Sequence, residues 1–180
     1  MAKTTARGPI ELRIKEVGQL FQSLDPLPFR ERDLDQAVEE YVVGRASEAP
    51  PKQAIEIRVH MPSAQAKSEA AEHIDAAFKN YFSYRAEVVG RDMKELFRRG
   101  RVSLATGLAV LAICIVAGRL VGDHLGAGYM GHFFGEGIII LGWVANWRPI
   151  EIFLYDWWPV RRRRQLYHRL AGASVHLISD

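Results

Sequence analysis

The chain has 180 residues, 48% apolar and 25% charged, with a net charge of +3, a length that admits one soluble domain and a small second unit but not two large domains. Residues 1–100 hold 16 Lys and Arg against 16 Asp and Glu, whereas residues 101–180 hold 8 Arg against 5 acids, so the positive excess lies wholly in the second half. That excludes a basic nucleic-acid-binding face on the first half, and the single Cys114 excludes an intrachain disulfide and a Cys-based zinc site.

Met1–Pro9 has no apolar stretch after its charges, so no cleaved secretory leader is expected there. Residues 1–100 read as a small cytoplasmic domain of the α+β class. Ile10, Leu12 and Ile14 alternate with Glu11 and Arg13, the period of a half-buried strand. Pro26 and Pro28 make Asp25–Phe29 an extended connection. Asp33, three residues before Gln36, suggests a capping box, followed by Leu34, Ala37, Val38, Tyr41 and Val42 at helical spacing. Gly44 to Lys52, with Pro50 and Pro51, reads as a loop. Ile55, Ile57 and Val59 then repeat the strand pattern. Pro62 and Ser63 open a further helix, whose stripe of Ile74, Ala77, Phe78, Tyr81, Phe82 and Arg85 continues to Met93, Leu96 and Phe97 after a break expected at Gly90.

Residues 101–158 are written for lipid. Val102–Leu120 carries no charge before Arg119, and about 20 apolar residues in a helix span the ~30 Å hydrocarbon core. A second span is expected at Tyr129–Trp147. Alternatively it continues, kinked at Pro149, to Trp158, which sets Arg148 and Glu151 one turn apart as a pair. Together the spans form a two-helix transmembrane hairpin. Arg91, Lys94, Arg98, Arg99 and Arg101 precede it and Arg161, Arg162, Arg163, Arg164 and Arg169 follow it, so both termini are expected in the cytoplasm. A bacterial inner membrane suits this arrangement. All four tryptophans (143, 147, 157 and 158) fall near the inner leaflet, where rings with one apolar and one polar end prefer to sit. Trp157, Trp158 and Arg161–Arg164 are therefore the expected contacts with lipid headgroups.

Gly118, Gly122 and Gly126 are four apart, as are Gly131 and Gly135. Small residues at that spacing let helix backbones approach closely, either within the hairpin or between copies in an oligomer. Near the outer end stand Arg119, Asp123, His124, His132 and Glu136. His124, His132 and Glu136 are of metal-ligand type, and intramembrane ionisable groups often mark proton or ion paths. The favoured reading is a pair between Arg119 and Glu136 that makes the hairpin tolerable in lipid. Finally, residues 159–180 read as a cytoplasmic helix at Val160–Ala171, a stop at Gly172, and a strand at Ser174–Ile178 that returns to the sheet.

No glycine-rich phosphate loop precedes a Lys-Ser/Thr pair, and no nucleophile–base set emerges. An enzyme, a cofactor and a bound metal are therefore not expected. The pattern points to a membrane-anchored scaffold or accessory subunit that self-associates as a homo-oligomer or docks on a membrane complex. Its partners would be lipid and protein, not nucleic acid. The alternative is a small oligomeric ion or proton channel using Glu136 and His132.

Overall fold

The computed structural model describes residues 8–22, 32–51, 53–125 and 128–179; the Asp25–Phe29 connection and Gly126 lie outside the described residues. The protein combines many helices with one small three-stranded sheet, and it divides into two compact units. Residues Met1–Val89 and Arg162–Asp180 form the first, and Gly90–Arg161 form the second.

In the first unit, strands β1 (Ile10–Arg13), β2 (Glu56–Met61) and β3 (Ser174–Ser179) run in the order β1-β2-β3, and both pairings are parallel. The register aligns Ile10 with Ile57 and Val175, and Leu12 with Val59 and Leu177. These rows share one face because alternate residues of a strand point the same way. Ile57 and Val59 are fully buried, and Ile10, Leu12 and Ile14 nearly so. The opposite face carries Glu11, Arg13, Glu56, Arg58 and His176, with Arg58 Nε donating to Glu56 Oε1 at 2.9 Å. β3 is the strand expected from the tail, and Gly172 stands two residues before it, its N–H bonded to the His168 carbonyl at 3.2 Å.

Parallel neighbours require a crossover. The first contains a short 3-10 turn (Val17–Leu20) and helix α1 (Gln36–Glu48). The second contains everything from α2 (Ser63–Ala66) and α3 (Glu69–Glu72) through α4 (Ile74–Leu125), α5 (Tyr129–Val144), α6 (Trp147–Glu151), a π turn (Ile152–Asp156) and α7 (Trp157–Ala171). Ile74, Ala77, Phe78 and Phe82 of the stripe seen in the sequence, joined by Ala86, are buried on α4 with Val42 and Ala46 of α1 and with Tyr167 and Leu170 of α7, while Tyr81 and Arg85 of the stripe are half-buried. Phe82 stacks on Tyr167, ring centroids 6.1 Å apart.

Several boundaries differ from the sequence expectation. α1 is capped by Asp35, whose side chain accepts the Ala37 N–H at 2.9 Å, not by Asp33. The reason is that Leu34 bridges to Phe21 in extended conformation, so the helix starts only after it. α1 also runs through Gly44 to Glu48, because burial of Val42 and Ala46 outweighs the ~1 kcal/mol that glycine costs in a helix. The helix opened by Ser63 stops at Ala66 and restarts twice, at Glu69 and Ile74. Gly90 does not break α4, which is continuous for 52 residues. The second apolar helix turns at Ala145–Asn146 and then continues helically. Pro149 is accommodated in the first turn of α6, where its missing N–H leaves no bond unmade.

Phe82 is fully buried and Tyr84, two residues on, is 53% exposed. Phe82→Ala should cost about 3–5 kcal/mol and Tyr84→Ala under about 0.5 kcal/mol. Thermal unfolding of the full-length chain in mild detergent checks this, and equal losses would contradict the core described here.

Candidate functional site: a glycine-lined helix pair and a partly buried carboxylate cluster

Within the second unit, α4 and α5 meet along a seam of small residues. A methyl group on Gly118 would lie 2.7 Å from the Gly135 carbonyl oxygen, and one on Gly135 would lie 3.0 Å from the Gly118 carbonyl oxygen. A methyl on Gly122 would stand 3.9 Å from the Gly131 carbonyl oxygen. Glycine is therefore required at the tightest crossing, where backbone meets backbone. Farther along, a Gly142 methyl would fall 2.9 Å from both Cys114 Cβ and a Leu111 methyl, and a Gly100 methyl 2.9 Å from Ile152 Cγ2. Of the five glycines named from the sequence, Gly118, Gly122, Gly131 and Gly135 lie along this seam, and Gly126 lies outside the described residues.

At the end of α5 the seam holds a buried polar residue, Asn146, only 5% exposed. Its Nδ2 donates to the Gly107 carbonyl of α4 at 3.1 Å and to the Gly142 carbonyl of α5 at 3.0 Å. Its Oδ1 is buried without a partner.

Arg119 and Glu136 each follow a seam glycine and so turn about 100° out of the contact. Both are exposed, and no ion pair joins them. Asp123, His124 and His132 are exposed as well. Among the described residues, His124, His132 and Glu136 do not gather into a metal-binding group.

Beyond the turn at Ala145–Asn146, Arg148 pairs with Glu151 at 3.0 Å and with Asp156 at 3.2 Å. Glu151 also accepts from Trp147 Nε1 at 2.9 Å. Trp157 Nε1 donates to the Phe153 carbonyl in the π turn, and Arg161 lies over the Trp157 ring at 5.6 Å. Trp143, Trp147, Tyr155 and Trp158 are all more than half exposed. Arg161 and Arg162 are exposed, while Arg163 donates to the Tyr167 hydroxyl at 3.1 and 3.3 Å.

The first unit holds a polar cluster centred on Glu39 of α1. Its carboxylate accepts from Tyr81 at 2.7 Å, from Arg85 at 3.0 Å and from Tyr167 at 2.9 Å. The Arg85 and Arg163 guanidinium groups also stand 5.7 and 5.6 Å from the Tyr167 ring centre. Burial by itself would raise the Glu39 carboxyl, but hydrogen bonds from Tyr81 and Tyr167 and the charge of Arg85 outweigh it and hold it below the ordinary carboxylate range. Burial and the neighbouring Glu39 charge push the Tyr81 phenol upward, so it stays a donor. The cluster joins α1 to the two chain segments that lead into and out of the second unit, at Tyr81 and Arg85 on α4 and at Arg163 and Tyr167 on α7. It borders an open cleft that Asp33, Gln36 and Glu40 also line.

Sequence reasoning placed Tyr81 and Arg85 on the apolar stripe but did not single out Asn146, Glu39 or Tyr167. A polar residue closing an apolar run was the available signal for Asn146. For the cluster, the signal was an Arg and a Tyr four residues apart on each of two helices. No known family model, curated protein or solved structure matches this chain.

Because the Glu39 carboxyl is lowered in the folded state, its stabilisation is present above the unfolded carboxylate pKa and is lost as pH falls through the lower folded value. The wild-type α7–β3 segment should therefore become protease-sensitive only in acid. Glu39→Gln should be weakened by about 1–3 kcal/mol already at neutral pH and lose that acid dependence. Limited proteolysis of the full chain from pH 3 to 7, read at residues 162–179, checks both outcomes.

Proposed function

We propose that this chain is an integral membrane protein that anchors a cytoplasmic sheet-and-helix domain through two spans and works as a non-enzymatic scaffold or accessory subunit. One observation carries the proposal: the two long apolar helices leave their apolar surface uncovered. The most apolar window of Ile74–His124 is 11% buried, and that of Tyr129–Ala171 is 22% buried. Leu108, Ile113, Val116, Ile140, Leu141 and Val144 are each more than half exposed. A core helix of a soluble protein buries such residues, whereas lipid or a neighbouring protein covers them in a membrane.

The orientation with both termini inside rests on the arginines flanking the spans. The exposed tryptophans, with Arg161 over Trp157, suit a headgroup-level segment. Exposed Arg161 and Arg162 would each add about 1 kcal/mol toward an anionic surface. A scaffold role is supported by the way the Glu39 carboxylate of α1 is held by Tyr81, Arg85 and Tyr167 from two further helices, an arrangement that fastens helices together. Self-association would cover the apolar surface that the seam between α4 and α5 leaves open.

Membranes from cells making the full-length chain should retain it through an alkaline carbonate wash. Mild detergent should then release an assembly larger than the 20.3 kDa chain. Recovery in the supernatant without detergent would defeat the membrane assignment. A strict monomer with no companion chain would defeat the scaffold role alone. Ion flux in reconstituted vesicles that disappears in Glu136→Gln would transfer the assignment to an oligomeric channel.

A further inference from the structure

Strand β3 is an edge of the parallel sheet, paired with β2 on one side only among the described residues. The Ser174 N–H donates to the Ile55 carbonyl at 3.3 Å. Peptide groups alternate in direction along a strand, so Ser174, His176 and Ile178 point theirs at β2, and Val175, Leu177 and Ser179 point theirs outward. The two edges of the sheet are not alike. On β1 the Ile14 N–H reaches the His60 carbonyl at 3.0 Å, which leaves Glu11 and Arg13 as the outward positions, with Pro9 immediately before the strand. Proline offers no N–H, and exposed charges discourage a further strand. β3 carries neither device: Ser174-Val-His-Leu-Ile-Ser has no proline and no Lys, Arg, Asp or Glu. Although α2 lies beside β3, Ser174, His176, Leu177 and Ser179 are exposed.

We propose that β3 pairs antiparallel with β3 of a second copy about a two-fold axis at His176, joining the two sheets into one. Facing residues of an antiparallel pair exchange both N–H···O bonds when their peptide groups point at each other. With the axis at His176, outward Val175 meets outward Leu177 of the second copy, and the reverse. The same pairing continues the apolar face. The row Ile10, Ile57 and Val175 runs on into Leu177, Val59 and Leu12 of the second copy, and its symmetric row does likewise. In one chain alone that face is buried at Ile57 and Val59 but stops at Leu177, 37% exposed. Other axes fit worse. An axis at Leu177 sets Val175 against Ser179 and ends the row in a hydroxyl. An axis at Val175 sets Leu177 against Ala173, whose N–H is already bonded to the Leu170 carbonyl at 3.1 Å. An axis between residues sets outward peptide groups against inward ones. The strand is thus complementary to itself in one register, which assigns the open edge to a second copy of this chain.

The pairing rests on the self-association proposed above and gives it an interface within the first unit. In this register the two residues at 176 form a non-hydrogen-bonded pair with Cα atoms about 4.5 Å apart, a separation a disulfide accepts. The test uses the full-length chain with its native thiol removed (Cys114→Ala), in isolated membranes or in whichever fraction the chain is recovered. With His176→Cys it should form a covalent dimer on mild oxidation at least about tenfold faster than with Arg13→Cys, an exposed site on the other edge. Adding Leu177→Lys, which puts a charge on the open edge, should return the rate to the Arg13→Cys level. Equal rates at 176 and 13 would overturn the proposal. So would faster cross-linking at Leu177→Cys than at His176→Cys, or cross-linking at 176 that Leu177→Lys leaves unmoved. An assembly in mild detergent that lacks the 176 cross-link would overturn the pairing and leave the scaffold reading standing. A 176 cross-link in a chain recovered without detergent would support the pairing and defeat the membrane assignment.

Discussion

Parallel pairing of β2 with β3 is the constraint on which the rest of the structure depends. A strand cannot be followed by its parallel neighbour through a tight turn, so the chain must travel back to the starting end of the sheet. Here that return journey runs from Pro62 to Ala173 and carries both long apolar helices. In the chain, the apolar unit is therefore inserted between β2 and β3. Its two connections are both built into the sheet's own topology, and β3 takes its place only when the chain has come back.

The Glu39 cluster meets the demand this makes on the first unit. Two helical segments that are far apart in sequence must lie beside each other to complete one core. Phe78 and Phe82 meet Tyr167 and Leu170 in that core through apolar contact, which has no directional preference. The carboxylate adds direction. It accepts from a tyrosine on each segment and from Arg85, and Tyr167 in turn accepts from Arg163. The partly buried carboxylate meets three donors, one of them cationic, so the charge is tolerated where an isolated carboxylate would not be.

The second unit solves a different problem with opposite means. Its helices meet where side chains are absent, so the close approach of Gly118 and Gly135 comes from backbone contact. Leu111 seats on Gly142 farther along the same seam, and one buried amide, Asn146, adds a directional bond by donating to the Gly107 carbonyl. Arg148, held by Glu151 and Asp156, keeps the polar groups that follow the turn paired among themselves.

The sequence by itself determined the strands, the buried stripe of α4, the two apolar helices and the glycine repeat they carry. Each is a periodic signal, and period two, period 3.6 and a four-residue glycine repeat survive without knowledge of any partner. The pairing of Arg148 with Glu151 was legible for the same reason, since both lie within one turn. Only the tertiary structure decided that the sheet is parallel, that α1 begins after Asp35 because Leu34 bridges to Phe21, and that α4 passes Gly90 unbroken. It also left Arg119 and Glu136 exposed with no ion pair between them, and it brought Glu39 to Tyr167 across 128 positions. Those outcomes depend on which distant groups come within a hydrogen bond of each other, and no local pattern of residues encodes that distance.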